Sequence, residues 1–265
     1  MNHILVPIGS SPDIHETLQY AVDFAAALQS KIFVMEVFNA PSAPGTLVNV
    51  SEKVAQQNKA HLLEVIGKVN PKGLEIKIVT YNGSVVEGVK AIDKELGIDL
   101  IIMAPRHNDI QDIYYLGPTS GSIIKRTNIP TLIVPKKAQF KPFKNVLTAF
   151  KSGILKTNRI LTPLLEIQKS HQSKVSLLLV KTPGYTEEDL KINTALMDMS
   201  SQVNMTQNGT TYLGVLEHFR DQKPDLLCVF RRKRGFFTNL LEKSTILKSE
   251  FHVPIPVLVL SVKKD

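Results

Sequence analysis

Asp99-Leu100-Ile101-Ile102-Met103 recurs 126 residues later as Asp225-Leu226-Leu227-Cys228-Val229. Each copy is an acidic residue followed by a short run that is apolar throughout, the pattern of a strand covered on both faces. The same offset (209 − 83) joins Tyr81-Asn82-Gly83-Ser84 to Gln207-Asn208-Gly209-Thr210, and Ile129-Pro130-Thr131-Leu132-Ile133-Val134 to Ile255-Pro256-Val257-Leu258-Val259-Leu260. Across that stretch the two copies align without insertion or deletion. Nearer each beginning the offset is 142, where Ile4-Leu5-Val6 meets Val146-Leu147-Thr148. The second copy is therefore shorter in its middle by 16 residues (142 − 126). An internal repeat on this scale predicts two tandem units.

Within the first copy, the runs Ile4–Ile8, Ile32–Phe38, Leu74–Thr80, Leu100–Ala104 and Thr131–Pro135 read as strands. Between the first two, Leu18, Ala21, Val22, Ala25 and Leu28 recur at helical spacing after the start signal Ser11-Pro12-Asp13. Val54, His61, Leu62, Val65 and Val69 mark a second helix, Val85, Val89 and Ile92 a third, and Ile123-Ile124 a fourth. Strands alternating with helices predict a doubly wound α/β fold with a parallel sheet and right-handed crossovers. In the second copy Val146–Phe150, Val175–Val180, Val203–Thr206, Leu226–Phe230 and Val257–Val262 read as strands. Pro163 either kinks the first helix there or marks its late start.

The segment Lys136-Lys137-Ala138-Gln139-Phe140-Lys141-Pro142-Phe143-Lys144 is the natural boundary, giving expected domains 1–138 and 139–265. As a flexible coil it spans only about 15–20 Å. The two domains are thus expected side by side, with Phe140 and Phe143 anchoring the linker. The 265 residues are 43% hydrophobic and 21% charged, values of a soluble globule. No apolar run reaches the ~20 residues of a membrane span. The N-terminus enters a strand directly, so a cytoplasmic address is expected and a membrane partner is not. Cys228 is the only cysteine, which excludes an internal disulfide and a cysteine-built zinc cage; a buried inert thiol is expected. The net charge of +8 favours anionic partners without choosing among them.

The opening Ile4-Leu5-Val6-Pro7, the Asp99–Met103 strand and the closing Ile129–Val134, in this order and twice, resemble the universal stress protein family, here as a tandem two-domain member. The resemblance covers the first half almost throughout, and the second chiefly at its start and from Asn208 onward. It implies two adenine nucleotide alpha-hydrolase-like domains, each a five-stranded parallel sheet in the order 3-2-1-4-5 flanked by helices. It also implies pairing through the fifth strands, here Thr131–Pro135 with Val257–Val262, which would cover two otherwise exposed edges.

Nucleotide-binding members of that family carry Gly-x2-Gly-x9-Gly-[Ser/Thr] after the fourth strand and an Asp just after the first. Glycines let the backbone approach phosphates, and amides at a helix start donate to them. In the first half that register falls on Ala104, His107, Gly117 and Pro118, with Thr119 and Ser120 next. Gly9 stands in the place of the Asp, and Ser10 and Ser11 follow. His107 adds bulk, and Pro118 has no N–H to donate. In the second half the register falls on Phe230, Lys233, Lys243 and Ser244, so no glycine remains, and Phe150 follows the first strand, again without an Asp.

Two readings stay open. In one, the chain is a non-catalytic stress-response protein with eroded nucleotide sites and a protein partner of unknown identity. In the other, it binds ATP or AMP in the first domain alone, through Gly9, Ser11, Ala104, His107, Gly117, Thr119 and Ser120, with at most slow ATP hydrolysis. A third rests on Arg231-Arg232-Lys233-Arg234-Gly235-Phe236-Phe237, which could grip an anionic polymer. Without other nucleic-acid motifs a solvated basic loop is the expectation, and nucleic acid is not expected as a partner. The seven His residues are scattered, and no metal site or catalytic triad is expected.

Overall fold

Ile4, Leu5 and Val6 have no exposed surface, and neither do Leu100, Ile101 and Ile102. Runs this apolar become strands only where helices cover both faces of the sheet. The computed structural model describes residues 1–9, 14–38, 48–105, 114–231, 246–248 and 251–262.

In chain order the first half comprises β1 (His3–Ile8), α1 (Ile14–Leu28), β2 (Lys31–Phe38), α2 (Val48–Gly67), β3 (Ile76–Asn82), α3 (Val85–Leu96), β4 (Leu100–Met103), β5 (Tyr114–Leu116), α4 (Pro118–Arg126) and β6 (Thr131–Ile133). The second half continues with β7 (Asn145–Phe150), α5 (Thr162–His171), β8 (Lys174–Lys181), α6 (Thr194–Asp198), β9 (Gln202–Gln207), α7 (Thr211–Gln222), β10 (Leu226–Arg231), β11 (Ile246–Leu247) and β12 (Val257–Ser261). A single ten-stranded sheet has the order β3-β2-β1-β4-β6-β12-β10-β7-β8-β9. Each half therefore reads 3-2-1-4-5 outward-in, and β6 meets β12 antiparallel, Leu132 opposite Leu258. All other neighbours in this sheet are parallel.

One apolar layer gathers Leu18, Phe24, Leu62, Leu164 and Ile167 from α1, α2 and α5. The other gathers Val89, Ile92, Ile123, Ile124 and Val215 from α3, α4 and α7. The expected strands appear, with β3 displaced two residues toward the C-terminus and β6 ending at Ile133. Val69 lies beyond the end of α2, its amide bonded to the Ile66 carbonyl. Pro163 marks a late start: a 3-10 turn, Asn158–Leu161, precedes α5, and the proline sits in the first turn of the helix. The missing residues of the second half fall where α2 stands in the first. There the 20-residue helix gives way to a 3-10 turn, Glu187–Leu190, and the five-residue α6.

The ungapped alignment from Gly83 needs correction at one place. Val37 pairs with Tyr81 in the first half, and Val180 pairs with Thr206 in the second. Asn208, not Gly209, then takes the position of Gly83, since both amides bond the carbonyl ending the neighbouring strand (Phe38 and Lys181). The helix caps Ser84 and Thr210 return to the 126 offset. Gly209 is thus an extra residue between β9 and α7.

The linker binds through its rings. Phe140 and Phe143 pack edge-on or tilted against Tyr20, Phe24 and His171, with centroids 5.3–6.3 Å apart. The Phe143 amide donates to His171 Nδ1 at 3.3 Å, and Lys144 Nζ donates to the His171 carbonyl at 2.9 Å. No described helix is long and apolar enough to cross a membrane.

Candidate functional site

In an open parallel sheet the cleft lies beyond the carboxyl ends of the strands, where strand order reverses. In the first half that point is between β1 and β4. Gly9 follows β1 and Ala104 follows β4, both half-buried. Gly117 is the N-cap of α4 with no side-chain cap, and Pro118 opens the helix. Ser120 is 1% exposed, and its hydroxyl donates to the Ala104 carbonyl at 3.2 Å. The structure thus brings Ala104, Gly117, Thr119 and Ser120 together at the start of α4. Ser11 and His107 lie outside the described residues.

Two details define what this corner can do. Gly117 has φ −76° and ψ 172°, extended backbone open to any residue, so its conformation does not demand glycine. The Ser120 hydroxyl joins the helix start to the end of β4, and its proton is engaged there. The segment leading into α4 is pinned from the other half: β5 pairs antiparallel with β11, Leu116 opposite Ile246. Tyr115 is buried against Phe251, centroids 4.7 Å apart, and Tyr212 Oη donates to the His252 carbonyl at 2.8 Å.

The second half is built differently at the equivalent reversal, between β7 and β10. Phe150 ends β7 and Phe230 stands one residue before the end of β10; each is 2% exposed, and their ring centroids are 6.0 Å apart. Just beyond, the chain closes over the strand end. The Asn193 amide donates to the Gly153 carbonyl at 2.9 Å, and a Cβ on Gly153 would lie 2.7 Å from Ile192 Cα. Asp189, held below the usual carboxylate range by Thr186 and Ser152 donors against the opposing effect of burial, belongs to the same cover. Lys233, Lys243 and Ser244 lie outside the described residues.

Of the basic run, Arg231 is described. Its guanidinium donates to the carbonyls of Lys125 and Thr127, the latter at 2.9 Å, and to Asn128 Oδ1 at 3.0 Å. It therefore caps the C-terminus of α4, where the helix dipole favours a cation. No sequence signal marks that role, because the partners are more than 100 residues away. Cys228 is fully buried, and burial pushes its thiol pKa up. Among the described residues no cluster of His, Cys, Asp and Glu could hold a metal ion.

The repeated Asp has a structural task in both copies. Asp99 Oδ2 accepts from the amides of Asn2 and His3 at 2.6 and 3.1 Å. Asp225 Oδ2 accepts from those of Lys144 and Asn145 at 2.8 and 2.9 Å. Both pin the amino end of a central strand, at the opposite rim from the cleft.

A universal stress protein from Archaeoglobus fulgidus DSM 4304 superposes with a TM-score of 0.70 at 17% identity, covering 99% of both chains. A functionally unknown protein from Pseudomonas aeruginosa PAO1 gives 0.59 at 13% identity, covering 99% of this chain and 93% of that one. A universal stress protein in complex with cAMP covers 51% of this chain and 98% of its own, at 18% identity and a TM-score of 0.43. No curated protein matches the sequence. The first two likenesses establish the fold, and the sequence profile of the universal stress protein family matches residues 1–135, so the chain belongs to that family.

Proposed function

We propose that this protein is a non-catalytic stress-response module of two tandem units, residues 1–138 and 139–265, that acts through contacts with another protein. The observation carrying this reading is the pair Phe150 and Phe230. Two buried rings stand where a phosphate chain would pass, and an aromatic ring has no N–H to donate to an anion. In the first unit Pro118 removes one amide from the helix start.

A second reading keeps ATP or AMP in the first unit, with at most slow hydrolysis. Its support is the uncapped first turn of α4, bonded through Ser120 to the small residue Ala104, with Gly9 following the neighbouring strand β1. Native mass spectrometry of the purified protein, followed by calorimetry with ATP and AMP, separates the two. The first reading expects no carried nucleotide and no heat of binding. Saturable binding that shifts the resonances of Ala104, Gly117 and Thr119 replaces it with the second.

A further inference from the structure

The two copies differ at a place no nucleotide loop touches. Under α7, at the amino ends of β7, β8 and β9, lies a cleft of about 420 Å³. Strand register gives each lining position its counterpart in the first half. Ser176 faces Leu147 as Phe33 faces Leu5, and Asn204 faces Leu178 as Val79 faces Met35. On the helices, His218 and Gln222 stand where α3 has Ile92 and Leu96. In the first half Phe33, Val79, Ile92 and Leu96 pack into one apolar layer. In the second, all four positions are polar and line the cleft. The rim charges did not change with them: Lys31 and Glu95 are matched by Lys174 and Asp221.

Drift on a solvated face does not account for this set. Ser176, Asn204, His218 and Gln222 are half-buried, and Gln222 Oε1 has neither solvent nor a hydrogen-bond partner. An acceptor in that state costs stability unless something donates to it. His218 Nδ1 lies 3.0 Å from the Gly214 carbonyl, which can only accept; Nδ1 therefore carries a proton, and Nε2 is the ring's remaining polar atom. Ser176 and the Asn204 amide supply donors. The walls carry no net charge, since Lys174 and Asp221 offset each other, and no Phe, Tyr or Trp is among the described residues that line them.

We infer that this cleft is a binding site for a small, uncharged polyhydroxyl compound. Hydroxyl groups both donate and accept, which suits His218 Nε2 together with Ser176 and Asn204; Gln222 Oε1, shut off from solvent in the free protein, reaches a ligand hydroxyl once its side chain turns into the cleft. A phosphate would bring acceptors against acceptors. The volume falls in the range of small-molecule pockets, about 300–1,000 Å³.

The test is a titration of the full-length, ¹⁵N-labelled protein with glucose, myo-inositol and, separately, inorganic phosphate. At millimolar polyol, the resonances of Ser176, Asn204, His218 and Gln222 shift saturably, while phosphate leaves them in place. Gln222→Leu, which installs the first-half residue, weakens that binding about tenfold or more. If this variant fails to fold, Ser176→Ala is read in the same titration and shows a smaller loss. Absence of a saturable shift with either polyol, a larger response to phosphate, or affinity unchanged in the folded variant overturns the assignment.

Discussion

At the amino rim of the sheet, Asp99 and Asp225 accept two strand amides each, in the same geometry. At the carboxyl rim the halves part company: Ile8 ends β1 and Ala104 follows β4 in the first, while the rings of Phe150 and Phe230 hold the matching positions in the second. Under the third helix they part again, apolar in the first half and polar in the second. Duplication thus preserved the groups that hold the strands in register and released those that face a cleft. The constraint is physical, because strand amides need partners in any copy, whereas a pocket lining needs its residues only while it has a ligand.

The comparison breaks most directly at the rings. Phe150→Ala or Phe230→Ala should cost about 3–5 kcal/mol in chemical denaturation, as expected for an aromatic ring removed from a packed core. Neither variant should gain ATP binding by calorimetry, since emptying the space supplies no donor. Nucleotide binding by either would show that the rings alone had blocked the second site.

Next in size is the clamp between the halves. Arg231→Ala should cost about 2–3 kcal/mol through lost charge-assisted bonds to the end of α4, with faster amide exchange at Lys125–Asn128. Arg231→Lys should recover little, because an ammonium cannot reproduce the forked contact. Undisturbed exchange in Arg231→Ala would remove the clamp from the account.

The two aspartates sharpen the comparison from the conserved side. Asp99→Ala and Asp225→Ala should each cost about 1–2 kcal/mol, by the loss of two amide acceptors, and the values should agree within about 1 kcal/mol. A large disparity would mean that one half alone sustains the sheet.

The smallest expected effect concerns His171, whose pKa is lowered by burial and, secondarily, by Lys144. The unfolded chain then binds more protons than the folded one below about pH 6.5, so stability is full above that value and falls as pH drops through it. Protonation also puts a hydrogen on Nδ1, against the Phe143 N–H. His171→Leu should flatten the stability profile between about pH 7 and 5. A wild-type profile already flat there would refute the linkage.

Most of the architecture was legible because strand and helix periodicity is a local property. The run at β4 is apolar throughout, those at β1 and β10 are polar only at one end, Glu36 alone interrupts Ile32–Phe38 in β2, and α1 and α3 keep their spacing, so each could be read alone. β5 and β11 were not legible. They are three and two residues long, and each is a strand only because the other is its partner across 130 residues. The slip at Gly209 was hidden for a related reason: Asn-Gly recurs in both copies, and only the pairing of β8 with β9 fixes which residue takes which place. The phosphate-loop register was readable as residue types at fixed spacing. That the Ser120 hydroxyl is turned onto the Ala104 carbonyl was not.

The order of the residues by itself determined that the chain is α/β, that it repeats, and that of the three glycines in the phosphate-loop register only Gly117 stands in the first half and none in the second, since hydrophobic period and motif spacing are written along the chain. Only the tertiary structure decided that Arg231 is a helix cap, that two rings meet over β7 and β10, and that four scattered polar residues face one cleft. Those outcomes depend on the distance and burial of groups far apart in sequence, and the same side chain binds, caps or fills space according to what folding sets beside it.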